Sequence, residues 1–293
     1  MRDPPDSRSI EELCSFGVVN LDKPPGPTSH QIAAWCRDLA GVDRAAHGGT
    51  LDPKVTGCLP VLLGDATRIA DVFLHGTKEY VAVLELHATV PADLDSTIDE
   101  FEGELYQKPP RKSAVSRRLR TRTIYELDVL ETNDRQVLCR IRCERGTYVR
   151  KLCHDIGLAL GTGAHMGDLR RTGTGPFDDR DLYTLHDLAD ALAFYREDGD
   201  EGPIREIVRP AEEVLRELPS VTIADSAARE VAEGAPVYAP GVLGVEADRE
   251  LSPDDEPLVT CTTPDGSAIC LGRLVGDPES ESGTVVALER VLV

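Results

Sequence analysis

The sequence predicts an α/β chain in two parts: a larger unit where strands alternate with helices, and a small, mostly β satellite beyond about residue 218. Three observations predict it. Short apolar or alternating runs are interleaved with segments whose apolar residues recur at helical spacing; the texture changes at Leu218-Pro219; and 293 residues suffice for one large core plus a satellite.

Gly17–Leu21 (GVVNL) reads as a strand stopped by the prolines of 24–27. Thr28 and Ser29 then offer caps to a helix in which Ile32, Trp35, Cys36 and Leu39 recur until Gly41. An apolar run, Leu59–Leu63, precedes an amphipathic helix from Asp65 to about Leu74, and residues 80–90 alternate as a strand. An acidic helix near 93–103 and a basic loop at 106–122 lead to strands at 123–131 and 136–144. Arg150–Leu160 reads as a helix closed by Gly161. The acidic stretch 178–217 reads as a helical connection. Past 218 come a strand at 221–223, a helix at 226–233, a hairpin of 258–262 and 268–275 around Pro264-Asp265-Gly266, and a last strand at 284–293.

No run is apolar enough to span a membrane and no signal peptide is evident, so a cytoplasmic chain is expected. The eight cysteines form no Cys-x-x-Cys pair, which predicts reduced packing residues and no zinc site. The net charge of −20 argues against a nucleic-acid partner at first sight, but it is uneven. Residues 108–122 (KPPRKSAVSRRLRTR) hold seven cations and no acid, and 135–151 hold six against Glu144 alone. Residues 178–217 carry thirteen acids against five arginines. A basic centre on an acidic body suits a polyanion held at one place. Six lysines against 26 arginines, with the acidic surface, fit a salt-rich cytoplasm. There the Debye length is about 3 Å at 1 M salt, and close Arg–phosphate contacts outweigh long-range attraction.

Residues 47–57 read HGGTLDPKVTG and fence Asp52 between Gly-Gly, a proline and another glycine. This is either a carboxylate on a rigid loop whose backbone can approach a ligand closely or an ordinary turn. Residues 143–151 (CERGTYVRK) end a strand and begin a helix with Arg150 in its first turn, where the helix dipole favours acids. Arg150 makes better sense facing a carboxylate from elsewhere. Gly157–Gly167 matches no phosphate-binding spacing, so no nucleotide cofactor is expected.

Together these motifs resemble the TruB family of RNA pseudouridine synthases, in its archaeal–eukaryotic, dyskerin-like branch. The matching stretches are 20–30 (NLDKPPGPTSH), 47–57, 78–81 (KEYV), 113–115 with 117–122, 146–150 (GTYVR), 163–166 (GAHM), 169–171 (LRR) and 175–177 (GPF). The tail resembles, more weakly, a PUA domain. The resemblance implies a catalytic domain on a mixed, largely antiparallel sheet over 1–217 and a small PUA-like β-barrel that binds RNA over 218–293.

It also implies isomerisation of uridine to pseudouridine in RNA without cofactor or metal. Asp52 would be the nucleophile, Arg150 its ionic partner in a closed pocket, and Tyr80 the ring stacked on the flipped uracil. Tyr148 and Leu169 would wall the pocket and His47 would fill the space the base vacates. Lys23, Arg111, Arg117, Arg118, Arg120 and Arg122 are the candidate phosphate contacts. Expected partners are guide-directed rRNA with H/ACA guide RNA and small H/ACA proteins, or the T-loop uridine 55 of tRNA. Ser116 and Gly173 stand where this branch usually has Lys and Arg, each removing a possible RNA contact. The rival readings are a non-catalytic RNA-binding scaffold and a hydrolase using Asp52.

Overall fold

The computed structural model describes residues 2–74, 76–109, 116, 118–248 and 251–293. Ten strands form its larger sheet: β1 (Phe16–Lys23), β2 (Ala45–His47), β3 (Thr56–Gly64), β4 (Lys78–Leu86), β5 (Gly103–Gln107), β6 (Arg120–Asn133), β7 (Gln136–Cys143), β8 (Ala164–Thr174), β9 (Phe177–Asp178) and β10 (Val208–Pro210). The order is β10-β1-β3-β8-β4-β7-β6-β5, with β2 beside β3 and β9 beside β8. Every pairing between these strands is antiparallel except β3 with β8, where Thr56 faces Arg170 and Gly57 faces Arg171. The sheet is thus mixed and largely antiparallel, as expected.

Six helices pack on it: α1 (Ile10–Ser15), α2 (Ser29–Ala40), α3 (Leu94–Asp99), α4 (Val149–Ala159), α5 (Leu185–Asp198) and α6 (Gly202–Ile207). Helix α2 forms as the sequence dictates. The Thr28 hydroxyl accepts from the Gln31 amide, the Gln31 side chain accepts from the Thr28 amide at 2.9 Å, and Gly41 closes the helix at φ 70°. Its buried face is Ile32, Ala33 and Cys36; Trp35, expected inside, stays exposed.

Four sequence expectations are corrected. The run Asp65–Leu74 coils in 3₁₀ turns rather than an α-helix. Of its buried residues, Ala66, Ile69 and Val72 recur every third position, the repeat of three residues per turn, and Phe73 is buried beside them. The end of the expected acidic helix and the start of the basic loop form strand β5 instead. Strand β8, assigned to no element from sequence, lies at the sheet's centre. The segment 178–217 is more than a connection: β10 extends the large sheet beside β1, while Leu188, Ala191 and Leu192 of α5 enter the core with Val19, Leu21 and Ile32.

The second sheet has β11 (Ser220–Ile223), β12 (Val237–Tyr238), β13 (Val242–Glu246), β14 (Leu258–Thr262), β15 (Ala268–Leu274) and β16 (Thr284–Val291), in the order β12-β16-β15-β14-β11-β13. Bulges in four of its pairings bend it around a core that includes Val221, Ile223, Val259, Ile269 and Val286, capped by α7 (Asp225–Ala232). This sheet packs on the first through Ala268, Leu271 and Leu292, which join Phe16, Leu62, Phe73 and Val214. Arg8, 1 % exposed, fixes the junction: it donates to both oxygens of Glu212 at 2.9 and 2.7 Å, and that carboxylate also accepts the Ala268 amide at 3.2 Å.

All eight cysteines are buried and free. Burial pushes the thiols of Cys36, Cys58, Cys139, Cys143 and Cys153 up to about 12, consistent with packing residues. No helix among the described residues is long and apolar enough to cross a membrane.

Candidate active site

The loop between β2 and β3 carries Asp52, and its neighbours nail it down. Leu51 and Val55 are buried on either side. The Leu51 amide donates to Ser29 Oγ at 2.9 Å, the Ser29 hydroxyl returns a bond to the Leu51 carbonyl at 3.2 Å, and the Gly26 amide reaches the Pro53 carbonyl at 2.8 Å. The Lys23 ammonium, 0 % exposed, donates to the carbonyls of Pro24 (2.9 Å), Pro53 (3.0 Å) and Val55 (2.8 Å). The sequence reading puts Lys23 on phosphate. With its three donors used on backbone, it is a structural clamp instead.

From this clamped loop the Asp52 carboxylate projects outward and pairs with Arg150, from the first turn of α4. The two side chains are 53 % and 47 % exposed, so the expected closed pocket is open here. Helix α4 is aimed by Gln107, the last residue of β5. Gln107 is 1 % exposed, accepts the Tyr148 amide at 2.9 Å and donates to the Tyr148 carbonyl at 3.4 Å. Tyr148 is half-buried at the helix N-terminus, two residues before Arg150.

Tyr80 and Leu169 sit where the two cores of the large sheet meet, each packed against both. On β4 and β8 Tyr80 is paired with Arg171, and Ala82 with Leu169. Burial holds the Tyr80 phenol above its ordinary value, and the charge of neighbouring Arg171 acts against that rise. Arg171, 1 % exposed, donates Nε to the Cys58 carbonyl at 2.7 Å and Nη2 to the Gly49 carbonyl at 3.2 Å. Two glycines make room for it. Gly49 lies at φ 126°, and a Cβ there would stand 3.2 Å from Arg171 Nη1; Gly57 lies at φ 96°, and a Cβ would strike the Arg171 carbonyl at 2.2 Å.

His47 ends β2 with its ring edge-on to His30, centroids 4.8 Å apart. Burial, then His30 and Arg171, pushes the imidazole down to about 4, and the Gly49 amide donates to its Nδ1 at 3.4 Å. The ring is therefore neutral near pH 7. Lys78, almost fully buried behind Gly49, donates to the carbonyls of Phe73 (2.8 Å) and Gly76 (3.2 Å). Burial and Arg171 lower it to about 8.

Of the basic loop, Arg118 and Arg120 are exposed, whereas Arg111 and Arg117 lie outside the described residues. Arg122 turns inward instead of standing free. It donates to the Thr121 carbonyl at 2.7 Å and to Glu144 at 3.3 Å, against Gly146. Among the described residues no group of three or more His, Cys, Asp or Glu side chains could hold a metal ion. Sequence reasoning missed the site roles of Ser29, Lys78, Gln107 and Arg171; all but Gln107 had a signal, their places in the NLDKPPGPTSH, KEYV and LRR stretches.

Known proteins resemble the chain along its whole length. Residues 37–93 and 88–149 match the model described as TruB family pseudouridylate synthase (N terminal domain), and 150–216 match the tRNA pseudouridylate synthase B C-terminal domain. Residues 3–33 match the DKCLD (NUC011) domain and 219–280 the PUA domain. A relative from Haloarcula marismortui, named probable tRNA pseudouridine synthase B, is 65 % identical over 100 % of this chain and 94 % of its own. One from Halobacterium salinarum with the same name is 65 % identical over 100 % and 99 %. The crystal structure of a Cbf5-Nop10-Gar1 complex superposes with a TM-score of 0.91 at 47 % identity, covering 99 % of this chain and 89 % of that one. An H/ACA RNP bound to a substrate RNA containing 2′-deoxyuridine gives 0.90 at 44 %, covering 99 % and 89 %. The chain belongs to the TruB family of pseudouridine synthases, and it is an isomerase.

Proposed function

We propose that this enzyme converts uridine to pseudouridine in RNA, with Asp52 as the nucleophile. The observation that carries the reading is the convergence of Arg150, from α4, on a carboxylate whose loop is clamped from several sides. In this isomerisation the N1–C1′ bond breaks, the base turns, and C5 bonds to C1′; C5 gives up a hydrogen and N1 gains one, so nothing is added or removed. Arg150 keeps Asp52 ionised, and Tyr80 offers a ring face to the base. Leu169 and Tyr148 wall the pocket, and neutral His47 fills the place of the extruded base without bringing a second cation. Arg118 and Arg120 take phosphates.

The catalytic unit is assigned to 1–217 and a PUA-like RNA-binding unit to 218–293, acting in the cytoplasm. Relatives named for tRNA support a tRNA T-loop substrate. Structures named as complexes with Nop10 and Gar1 and as an H/ACA RNP support a guide-directed rRNA substrate and small protein partners. Both routes are assigned to this chain. The test is isomer formation by the purified protein on tRNA and on a guide-paired strand, with and without the small proteins. Asp52→Asn is expected to abolish product and leave RNA affinity within a few-fold. Binding without product by the unaltered chain would make it a scaffold instead.

A further inference from the structure

We propose that Arg171 is a positioning residue for the isomerisation: one guanidinium orients the Tyr80 hydroxyl and the Asp52 loop together, so that the two behave as a unit. The inference rests on the uridine-isomerising reading of the site.

The geometry carries it. Arg171 is 1 % exposed and reaches two points of the backbone around Asp52, the Gly49 carbonyl before it and the Cys58 carbonyl after it. Arg171 is also the residue paired with Tyr80 across β4 and β8, and its charge acts on the phenol. A guanidinium only donates, so a bond from it to the phenol oxygen would fill a lone pair there and turn the phenol's own hydrogen away. With Nε and Nη2 held on the Cys58 and Gly49 carbonyls, its planar fork fixes where a third donor can aim, which an ammonium on a flexible stem does not.

A buried charge is expensive without compensation, and among the described residues no carboxylate stands within 4.0 Å of the Arg171 guanidinium. Lys78 alongside is also held by carbonyls. Neutral donors could have tied Gly49 to Cys58 at lower cost. The retained cation therefore marks a place where a fixed, oriented donor serves the adjoining site. Gly49 supports this, since even a methyl group there would press on Nη1.

The experiment is a double-mutant cycle on single-turnover isomer formation by the full chain, using Arg171→Lys, Tyr80→Phe and the pair, with RNA affinity and unfolding midpoint recorded for each. Arg171→Lys is expected to bind RNA within a few-fold of the unaltered chain but react about a hundredfold more slowly. In the Tyr80→Phe background it is expected to cost less than about threefold, because the oriented hydroxyl is already gone. Multiplying losses, or a loss that only follows the folded fraction, would overturn the inference. Where Arg171→Lys does not fold, Arg171→Gln, which keeps a donor without the planar fork, is read in the same cycle with Tyr80→Phe. An unaltered chain that isomerises no RNA would fail the functional reading itself, whereas additive losses in an active chain fail only the role of Arg171.

Discussion

The Lys23 ammonium donates to the Pro53 carbonyl at 3.0 Å, gripping the residue that follows Asp52. A cation with no exposed surface thus fixes the base of a loop whose tip bears an exposed anion. Lys23→Met would leave three carbonyls short of a donor. A loss of about 3 kcal/mol in unfolding free energy is expected, since charged hydrogen bonds contribute roughly 1.5–3 kcal/mol each and partly overlap. Urea unfolding at fixed salt measures the loss. In steady-state assays kcat is expected to fall more than KM rises, because loop geometry rather than RNA contact is disturbed.

Arg150 makes the opposite case. Its pair with Asp52 is about half exposed on both sides, and such pairs contribute roughly 0–1 kcal/mol to stability. Arg150→Ala is expected to leave the unfolding free energy within about 1 kcal/mol. Turnover is expected to drop by about a hundredfold or more. A stability loss sufficient to explain the drop would count against the proposed role.

His47 gives a pH signature. Its folded pKa lies near 4, below the 6.5 of an unperturbed imidazole. Between those values the unfolded chain binds more protons than the folded one, so this component of stability rises with pH from 4 to 6.5 and is lost as pH falls. Urea unfolding from pH 3.5 to 7.5 is expected to show a shallower acid slope for His47→Gln than for the unaltered chain. Parallel slopes would mean the ring is not held neutral.

The exposed arginines predict a salt dependence. Arg118→Gln with Arg120→Gln is expected to lower the slope of log affinity against log salt by about 1.5, at roughly 0.7–0.9 for each phosphate no longer neutralised. Arg122→Gln, whose side chain is spent on Glu144 and Thr121, is expected to change that slope far less. Fluorescence anisotropy with labelled RNA across a salt series separates the two.

What could be read in advance follows physical range. Asp52 and Arg150 were legible because a fenced carboxylate and a cation in a helix's first turn are each odd locally, and each explains the other. Helix α2 was legible from its own caps. Strand β8 was not, because Ala164–Thr174 carries two arginines, an aspartate and two glycines in no alternating order. Its central place comes from pairing with β3 and β4, many residues away. The inward turn of Lys23, Arg122 and Arg171 was equally hidden, since a basic side chain looks alike in sequence whether it meets phosphate or a carbonyl. The segment 178–217 reads as a connection on its charge, yet its apolar residues fill the core beneath β1.

The bond between Arg8 and Glu212 joins residues 204 positions apart, and the Ala268 amide reaches the same carboxylate from 56 positions further on. During synthesis Arg8 leaves the ribosome long before Glu212 and Ala268, the partners that complete its seat. Until residue 268 has emerged, the leading segment has no finished berth, and the seam between the two sheets stays unsealed.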